Sequence, residues 1–341
     1  MSDVIRTDMV IVGAGPVGLF AVFEAGTLGL ECHLVDNLDK IGGQCAELYP
    51  EKPIYDIPAI AMCTGQELVD RLMQQAEPFE PVFHLNQQVE RLTRLDDGKW
   101  QLESSAGTVF EAPAVVIAAG SGSFVPRRIP LAGADGFEGR SLFYSVRRME
   151  DFRDRRVLIA GGGDSALDWA LNLEPIASSI TLVHRRDDFR AAPDSVEKMR
   201  ALVASGRMSL VIGQIGALHG EAGELEGVTL RTVEGETELP IDRLLAFFGL
   251  KMELGPIAEW GLDIERNHVQ VSAETFETSR EGLFAIGDIC TYPGKLQLIL
   301  SGFHEAALMC QKAFTLCRPD KKLVFRYSTS SSELHQKLGI T

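Results

Sequence analysis

The chain is 341 residues long, with 45% hydrophobic and 24% charged residues and a formal net charge of −15. That length holds two domains of ordinary size, and the composition is that of a globular protein. The acidic balance speaks against non-specific nucleic-acid binding, and apolar runs such as AVVIAAG and VLIAGGG fall far short of a membrane span.

The opening stretch MSDVIRTDMVIVGAG carries acid and runs straight into a strand, which does not fit a signal peptide. Cys32, Cys45, Cys63, Cys290, Cys310 and Cys317 are scattered, with no C-x-x-C, and the seven histidines are equally dispersed. Neither a disulfide framework nor a metal site is expected from them, and the expected compartment is the cytoplasm.

The first elements form a βαβ unit, DMVIVGAGPVGLFAVFEAGTLGLECHLVD. Met9 to Val12 has the length and branching of a buried parallel strand. Gly13, Gly15 and Gly18 then give G-x-G-x-x-G where strand turns into helix. The first glycine makes the turn, the second admits a pyrophosphate to the backbone, and the third lets helix and strand pack closely. The next strand ends at Asp36, an acid that can accept from adenosine ribose hydroxyls and repels a 2′-phosphate. Further on, TGQELVDRLMQQAE reads as an amphipathic helix, with Leu68, Leu72 and Met73 at helical spacing. APAVVIAAGSGSF is an apolar strand that ends in a Gly-rich turn, the expected exit from the first domain.

The same grammar returns in RRVLIAGGGDSALDWALNL, where Val157 to Ala160 is the strand and Gly161, Gly163 and Ala166 give G-x-G-x-x-A. The strand that follows ends in His184, Arg185 and Arg186, with Arg190 one turn on. Guanidinium matches phosphate oxygens in a bidentate way, so cations in the place of Asp36 suit a 2′-phosphate and favour NADPH. The alternative is a solvated charge cluster. The HGEAGELEGVTLRTVEGETELP region alternates like strands with turns and predicts a hairpin. LLAFFGLKMELG crosses back to the first domain. Near the end, EGLFAIGDICTYPGKLQLILSGFHEAALMCQKAF holds a strand, then Gly287 and Asp288, then a long helix. Asp288 can hydrogen-bond ribityl hydroxyls while the helix start faces the cofactor, which points to FAD in the first site. Gly-Asp alone is as often a plain turn.

With these motifs in order, the whole chain resembles the two-dinucleotide-binding-domain flavoproteins, and within them the low-molecular-weight thioredoxin reductases. HRRDDFRA and GGGDSA look like that group's NADPH site. The redox cysteines do not follow. GRSLFYSVRRMEDFRDRRVLIAGGG, where a thioredoxin reductase carries C-x-x-C, has no cysteine, and the residue five beyond Cys45, where the glutathione reductase branch pairs its own, is Pro50. Cys45 is then most simply a small buried residue.

The chain is closer to the thioredoxin-reductase-like ferredoxin–NADP⁺ reductases. GGQCAELYPEKPIYDIPA, GDICTYPGKLQLILSGFHEAA and the C-terminal RYSTSSSELHQKLGI are similar to that family's signatures. The resemblance implies an α/β chain of two Rossmann-like three-layer β/β/α domains, the NADPH domain inserted in the FAD domain. The implied division is 1–118 and 250–341 for FAD, the tail lying over the flavin, and 119–249 for NADPH. It implies a homodimer that carries electrons between NADP(H) and a ferredoxin, an iron–sulfur protein of the 2Fe–2S or a similar type. Beyond the glycines, the implied FAD contacts are Asp36, Gln44, Tyr49, Val89, Phe124, Asp288 and Thr329, with Tyr49 stacked on one flavin face and Tyr327 on the other. Some relatives have His or Phe where Tyr327 stands.

No general acid or base is expected, because hydride and outer-sphere electron transfer need none. Nicotinamide must reach a flavin face, so Tyr327 has to swing away or the domains rotate. Ferredoxins are usually acidic, so docking needs a local basic patch. Arg127–Arg128, Arg147–Arg148, Arg153 with Arg155–Arg156, and Lys321–Lys322 are the runs that could supply one. Flavodoxin or a quinone as acceptor, and a non-catalytic flavin or NADPH sensor, are the competing readings.

Overall fold

The computed structural model describes residues 4–324, 329 and 332–339, and all side chains within them except those of residues 123–125, 250–252 and 333. Two compact units result: residues up to Ser123 with those from Met252 onward, and Phe124–Lys251. The sequence reading put the crossings earlier, at 118 and 249. The chain crosses inside an extended segment each time, in the strands Ser123–Pro126 and Leu250–Glu253. A strand in passage carries no turn signal to mark the boundary.

In the first unit, five parallel strands lie in the order Leu283–Ala285, Ala114–Ile117, Met9–Val12, Cys32–Val35 and Val82–His84. Alternate residues point to opposite faces of such a sheet. Met9 and Ile11 therefore join the core under the helices Pro16–Thr27, Gly65–Ala76 and Ile299–Cys317, with Leu19, Leu68 and Met309. Val10 and Val12 join a second core against the antiparallel strands Val89–Arg94, Trp100–Ser104 and Val109–Ala112. A helix layer, a parallel sheet and an antiparallel sheet make up this unit.

The Gly65–Ala76 helix begins at a capping box. Thr64 Oγ1 accepts from the Glu67 amide at 3.2 Å, and the Glu67 carboxylate accepts from the Thr64 amide at 2.9 Å. Leu68 and Leu72 are buried as their spacing predicts, together with Val69, and Met73 is half-buried. The far end of the Ile299–Cys317 helix is tied back to the first turn of the chain, where Arg318 grips the Asp8 carboxylate with both terminal nitrogens.

The second unit repeats the plan. Its parallel strands run Leu142–Phe143, Arg243–Ala246, Arg156–Ala160, Ser179–His184 and Ser209–Ile212. Leu158, Ala160, Val183 and Leu244 pack on one face against Leu225, Val228 and Leu230. Those three belong to an antiparallel meander of Gln214–Glu221, Glu224–Thr232 and Gly235–Pro240. The region read as one hairpin is thus two. Its first turn is at Ala222 and Gly223, both with positive φ, the backbone that a tight two-residue connection requires. Among the described residues no helix is long and apolar enough to cross a membrane.

Candidate functional site

The first site is built on the ends of two neighbouring strands. Gly13 has φ +112°, and a Cβ there would lie 2.4 Å from the Ala118 carbonyl oxygen. Its amide donates to Val35 O at 2.9 Å, and the Ala118 amide to Val12 O at 2.8 Å, so three strand ends are stitched at this turn. Gly15 caps the Pro16–Thr27 helix with no side-chain acceptor, and Pro16 has no N–H to satisfy. Gly18 lies so close beneath the loop that a Cβ would come within 2.2 Å of Gly13 O.

Asp36 is buried, and both of its oxygens are engaged. Oδ2 accepts from the Ala14 amide at 2.7 Å and Oδ1 from the Leu38 amide at 2.9 Å. Burial raises its pKa, and the backbone amides that favour the ionised form only partly offset this. A carboxylate has lone pairs for further donors, so the side chain can tie the Gly-rich loop and still accept from a ligand. Val89 is buried at the start of its strand. The loop before it returns to the same place: the Gln87 amide donates to Asp36 O and the Asn86 amide to Leu38 O, each at 2.9 Å.

A second glycine pair faces the first loop. Gly42 (φ +111°) donates its amide to Ala14 O at 2.8 Å, and a Cβ on Gly43 (φ +55°) would lie 3.0 Å from the Cα of Gly15. These two residues open the short helix Gly43–Glu47, which carries Gln44 and Cys45. The Gln44 amide nitrogen is the nearest neighbour of a Cβ built on Gly120, at 3.8 Å, so Gln44 reaches the turn beyond the Ala114–Ile117 strand. Around Gly15, Gly120 and Gln44 the surface is open.

Tyr49 follows within the same stretch, half-buried, its hydroxyl 3.7 Å from the Cys45 thiol and its ring under the Lys52 ammonium at 5.9 Å. Burial pushes the Tyr49 hydroxyl up and the Cys45 thiol up to about 11, and the carboxylate of Asp288 adds to both shifts. Asp288, more than 200 residues away in sequence, is therefore in electrostatic reach of Cys45 and Tyr49. Its own pKa is raised by burial and by Glu305, against the pull of Lys295 and His268. All six cysteines are free thiols, and Cys45 is 2% exposed. Burial disfavours the thiolate, the form that nucleophilic and exchange chemistry require.

Asp288 stands in a turn governed by a residue that sequence reasoning missed. Glu305, fully buried on the Ile299–Cys317 helix, accepts from the Gly287 amide at 2.6 Å and from the Tyr292 hydroxyl at 2.9 Å, and pairs with Lys295. A signal existed. Glu305 is a charge in a stripe of buried residues, Gly302, Ala306, Met309, Cys310 and Ala313, where an amphipathic pattern calls for an apolar side chain. Of the remaining expected contacts, Thr329 is exposed and Phe124 has its backbone in the crossing strand. The Phe124 side chain and the whole of Tyr327 lie outside what the structure describes.

In the second unit, Gly161 (φ +153°) is hemmed in by Phe247 O at 2.7 Å and the Ala166 Cβ at 2.9 Å from a built Cβ. Gly163 caps the Asp164–Leu173 helix, and a Cβ there would meet nothing within 4 Å. Gly162, between them, has a reason of its own: a Cβ would lie 2.5 Å from the His184 ring. Burial and the cations of Arg185 and Arg186 lower the pKa of His184, against the pull of Asp188. The Arg190 amide donates to Gly162 O at 2.8 Å, and Arg190 bridges Gly163 as a parallel partner. Arg185, Arg186 and Arg190 are exposed and, among the described residues, have no carboxylate partner, whereas Arg200 nearby is paired with Asp187 at 2.8 Å. The Arg190 backbone thus borders the helix start at Gly163, and Arg185 and Arg186 are in electrostatic reach of the His184 ring beside Gly162.

The basic runs are self-neutralised only in part. Arg128 pairs with Glu138 at 3.2 Å, Arg148 with Asp151 at 3.8 Å, Arg153 with Glu150 at 2.6 Å and Arg156 with Asp242 at 2.6 Å. Arg127, Arg155, Lys321 and Lys322 are exposed without such a partner among the described residues.

The pyridine nucleotide-disulphide oxidoreductase family matches residues 7–306. A ferredoxin–NADP reductase of Parvibaculum lavamentivorans is 60% identical over 99% of both chains, and one of Rhodopseudomonas palustris is 60% identical over the full length of both. Among solved structures, the thioredoxin reductase of T. acidophilum aligns with a TM-score of 0.76 at 20% identity, covering 91% of this chain and 98% of its own. That of Lactococcus lactis aligns with a TM-score of 0.75 at 23% identity, covering 92% and 99%. The thioredoxin reductases share the fold, and the close sequence relatives share the name ferredoxin–NADP reductase. The chain belongs to the pyridine nucleotide-disulphide oxidoreductase family, in the branch whose members carry that name.

Proposed function

We propose that this protein is a ferredoxin–NADP⁺ reductase that binds FAD in the first unit and NADP(H) in the second, and uses no redox disulfide. One observation carries the reading: a glycine cradle at Gly13, Gly15 and Gly18 with the Gly43 helix start pressed on it, whose stretch goes on to Tyr49 beside a buried, unpaired Cys45. The residues fit the cofactors. The glycine loop and open helix start at Gly13 to Gly18 suit a pyrophosphate, and Asp36 and the segment at Val89 suit the adenosine. Gln44, Tyr49, Phe124, Asp288, Thr329 and Tyr327 fall to the flavin. Gly161, Gly163 and Ala166 receive the second pyrophosphate, and Arg185, Arg186 and Arg190 its 2′-phosphate.

A bound FAD would supply the exchange between two-electron hydride chemistry with NADPH and one-electron chemistry with an iron–sulfur partner. The protein's own part is to bind and orient the two cofactors and to shield the reacting ring from water, which a half-buried Tyr49 can do on one face. With no thiol pair to take both electrons, the acceptor is external. Purified protein should drive NADPH-dependent cytochrome c reduction that rises several-fold when ferredoxin is added. Fast NADPH oxidation with no ferredoxin stimulation would move the acceptor to flavodoxin or a quinone.

A cytoplasmic homodimer is part of the same reading. Leu296, Leu298 and Leu300 are exposed together and would be covered by a second copy, so light scattering should give twice the chain mass.

A further inference from the structure

Between Gly287 and Lys295 four groups converge on a single side chain. Glu305 Oε2 accepts from the Gly287 amide at 2.6 Å and lies 3.5 Å from the Cys290 thiol, while Oε1 accepts from the Tyr292 hydroxyl at 2.9 Å and pairs with the Lys295 ammonium. Neither charge reaches water appreciably: the side chain of Glu305 is 0% exposed and that of Lys295 6%. An ion pair taken out of water loses so much hydration that an apolar pair of the same size is often no less stable. Stability alone therefore does not account for charge at this place.

The place itself is the junction of both loops of the first site. Val17, in the first turn of the Pro16–Thr27 helix, lies 3.4 Å from a Cβ built on Gly287 and 2.3 Å from one built on Gly302, one turn before Glu305. The Gly-rich loop, the Asp288 turn and the start of the Ile299–Cys317 helix thus meet at one point, and the Glu305 carboxylate is the acceptor that fixes the turn there. Asp288 follows the Gly287 amide directly and feels both members of the pair, with opposite sign.

We infer that Glu305 and Lys295 are positioning residues that hold the Gly287–Asp288 turn against a bound flavin and, as a balanced pair, set the electrostatic potential at that turn. This rests on the flavoprotein reading above. Reduction by two electrons with uptake of one proton leaves bound flavin one unit more negative, so local charge shows directly in its midpoint potential. Glu305→Gln keeps an acceptor for Gly287 but strands the ammonium, and the midpoint should rise. Lys295→Met leaves the carboxylate with its three donors but without its counter-charge, and the midpoint should fall. Their combination restores neutrality, and the midpoint should return close to that of the parent.

The test is equilibrium reduction of each flavin-loaded protein against reference dyes at pH 8, with the flavin content of each preparation measured first. Opposite shifts in the two single variants, cancelled in the double, are expected. Midpoints that move in the same direction, or do not move, would overturn the inference, since a purely structural pair has no reason to split by sign. The double variant decides alone if a single variant does not fold, because a midpoint far from the parent's contradicts the charge balance. A parent protein that binds no flavin would instead overturn the reading beneath it.

Discussion

Gly18→Val and Gly15→Val are expected to fail in different ways, although both residues belong to one G-x-G-x-x-G loop. At Gly18 a Cβ would sit 2.2 Å from Gly13 O. That oxygen cannot step aside, because the Gly13 amide is bound to Val35 O and the Leu19 amide to Gly15 O. Overpacking against fixed backbone costs about 3 kcal/mol, so Gly18→Val should lower the unfolding temperature of the flavin-free chain and reduce soluble yield. Gly15 has an ordinary φ of −75°, and its nearest neighbour, the Cα of Gly43, is 3.9 Å from a built Cβ. Valine fits there in the empty protein and fills the approach of a pyrophosphate. Gly15→Val should therefore keep the unfolding temperature of the flavin-free parent and lose FAD binding by at least tenfold. Thermal unfolding of both variants, with and without added FAD, separates the two effects. Equal destabilisation of both flavin-free proteins would refute the assignment of Gly15 to the ligand.

The second large effect concerns the choice of nicotinamide. Replacement of Arg185 and Arg186 by alanine should lower kcat/KM for NADPH on the order of a hundredfold, the usual loss when a charge-assisted phosphate contact is removed. Turnover with NADH should change little. Neither guanidinium has a carboxylate partner among the described residues, so their removal strands no buried charge and should leave the fold intact. The loss should appear in KM, because the 2′-phosphate is remote from the reacting atoms and is held equally before and during hydride transfer. Rates with NADPH and NADH that fall together would return these residues to the solvated cluster that the sequence also allowed. Arg200→Ala is the control, since that side chain is already paired with Asp187.

Local chemistry made much of this molecule legible in its sequence. The two glycine loops, the strands that lead into them and the amphipathic helix with Leu68 and Leu72 follow from short-range sterics and periodicity, and stand where their spacing put them. What the sequence hid depends on residues distant in the chain. Gly42 is required because Ala46 and Val69 crowd it, Gly43 because Gly15 presses on it, and Gly162 because His184 lies over it. Glu305 breaks the apolar stripe of its helix, but its partners show only when the Gly287 turn is folded onto it. The basic runs looked like candidate docking patches, yet Arg128, Arg148, Arg153 and Arg156 each find an acid of their own. Cys45 was decided by composition, because no second cysteine stands where a partner would have to be. Its burial beneath Tyr49 agrees with that reading.

The account turns on electrons that pass through a flavin and never rest on sulfur. Anaerobic titration of the purified protein with NADPH, followed by flavin absorbance and then by a count of reactive thiols in denaturant, tests this most directly. One NADPH per bound flavin should complete the reduction, with the same number of thiols before and after. Consumption of a second equivalent, with two thiols newly released, would reveal a hidden disulfide and contradict the central claim.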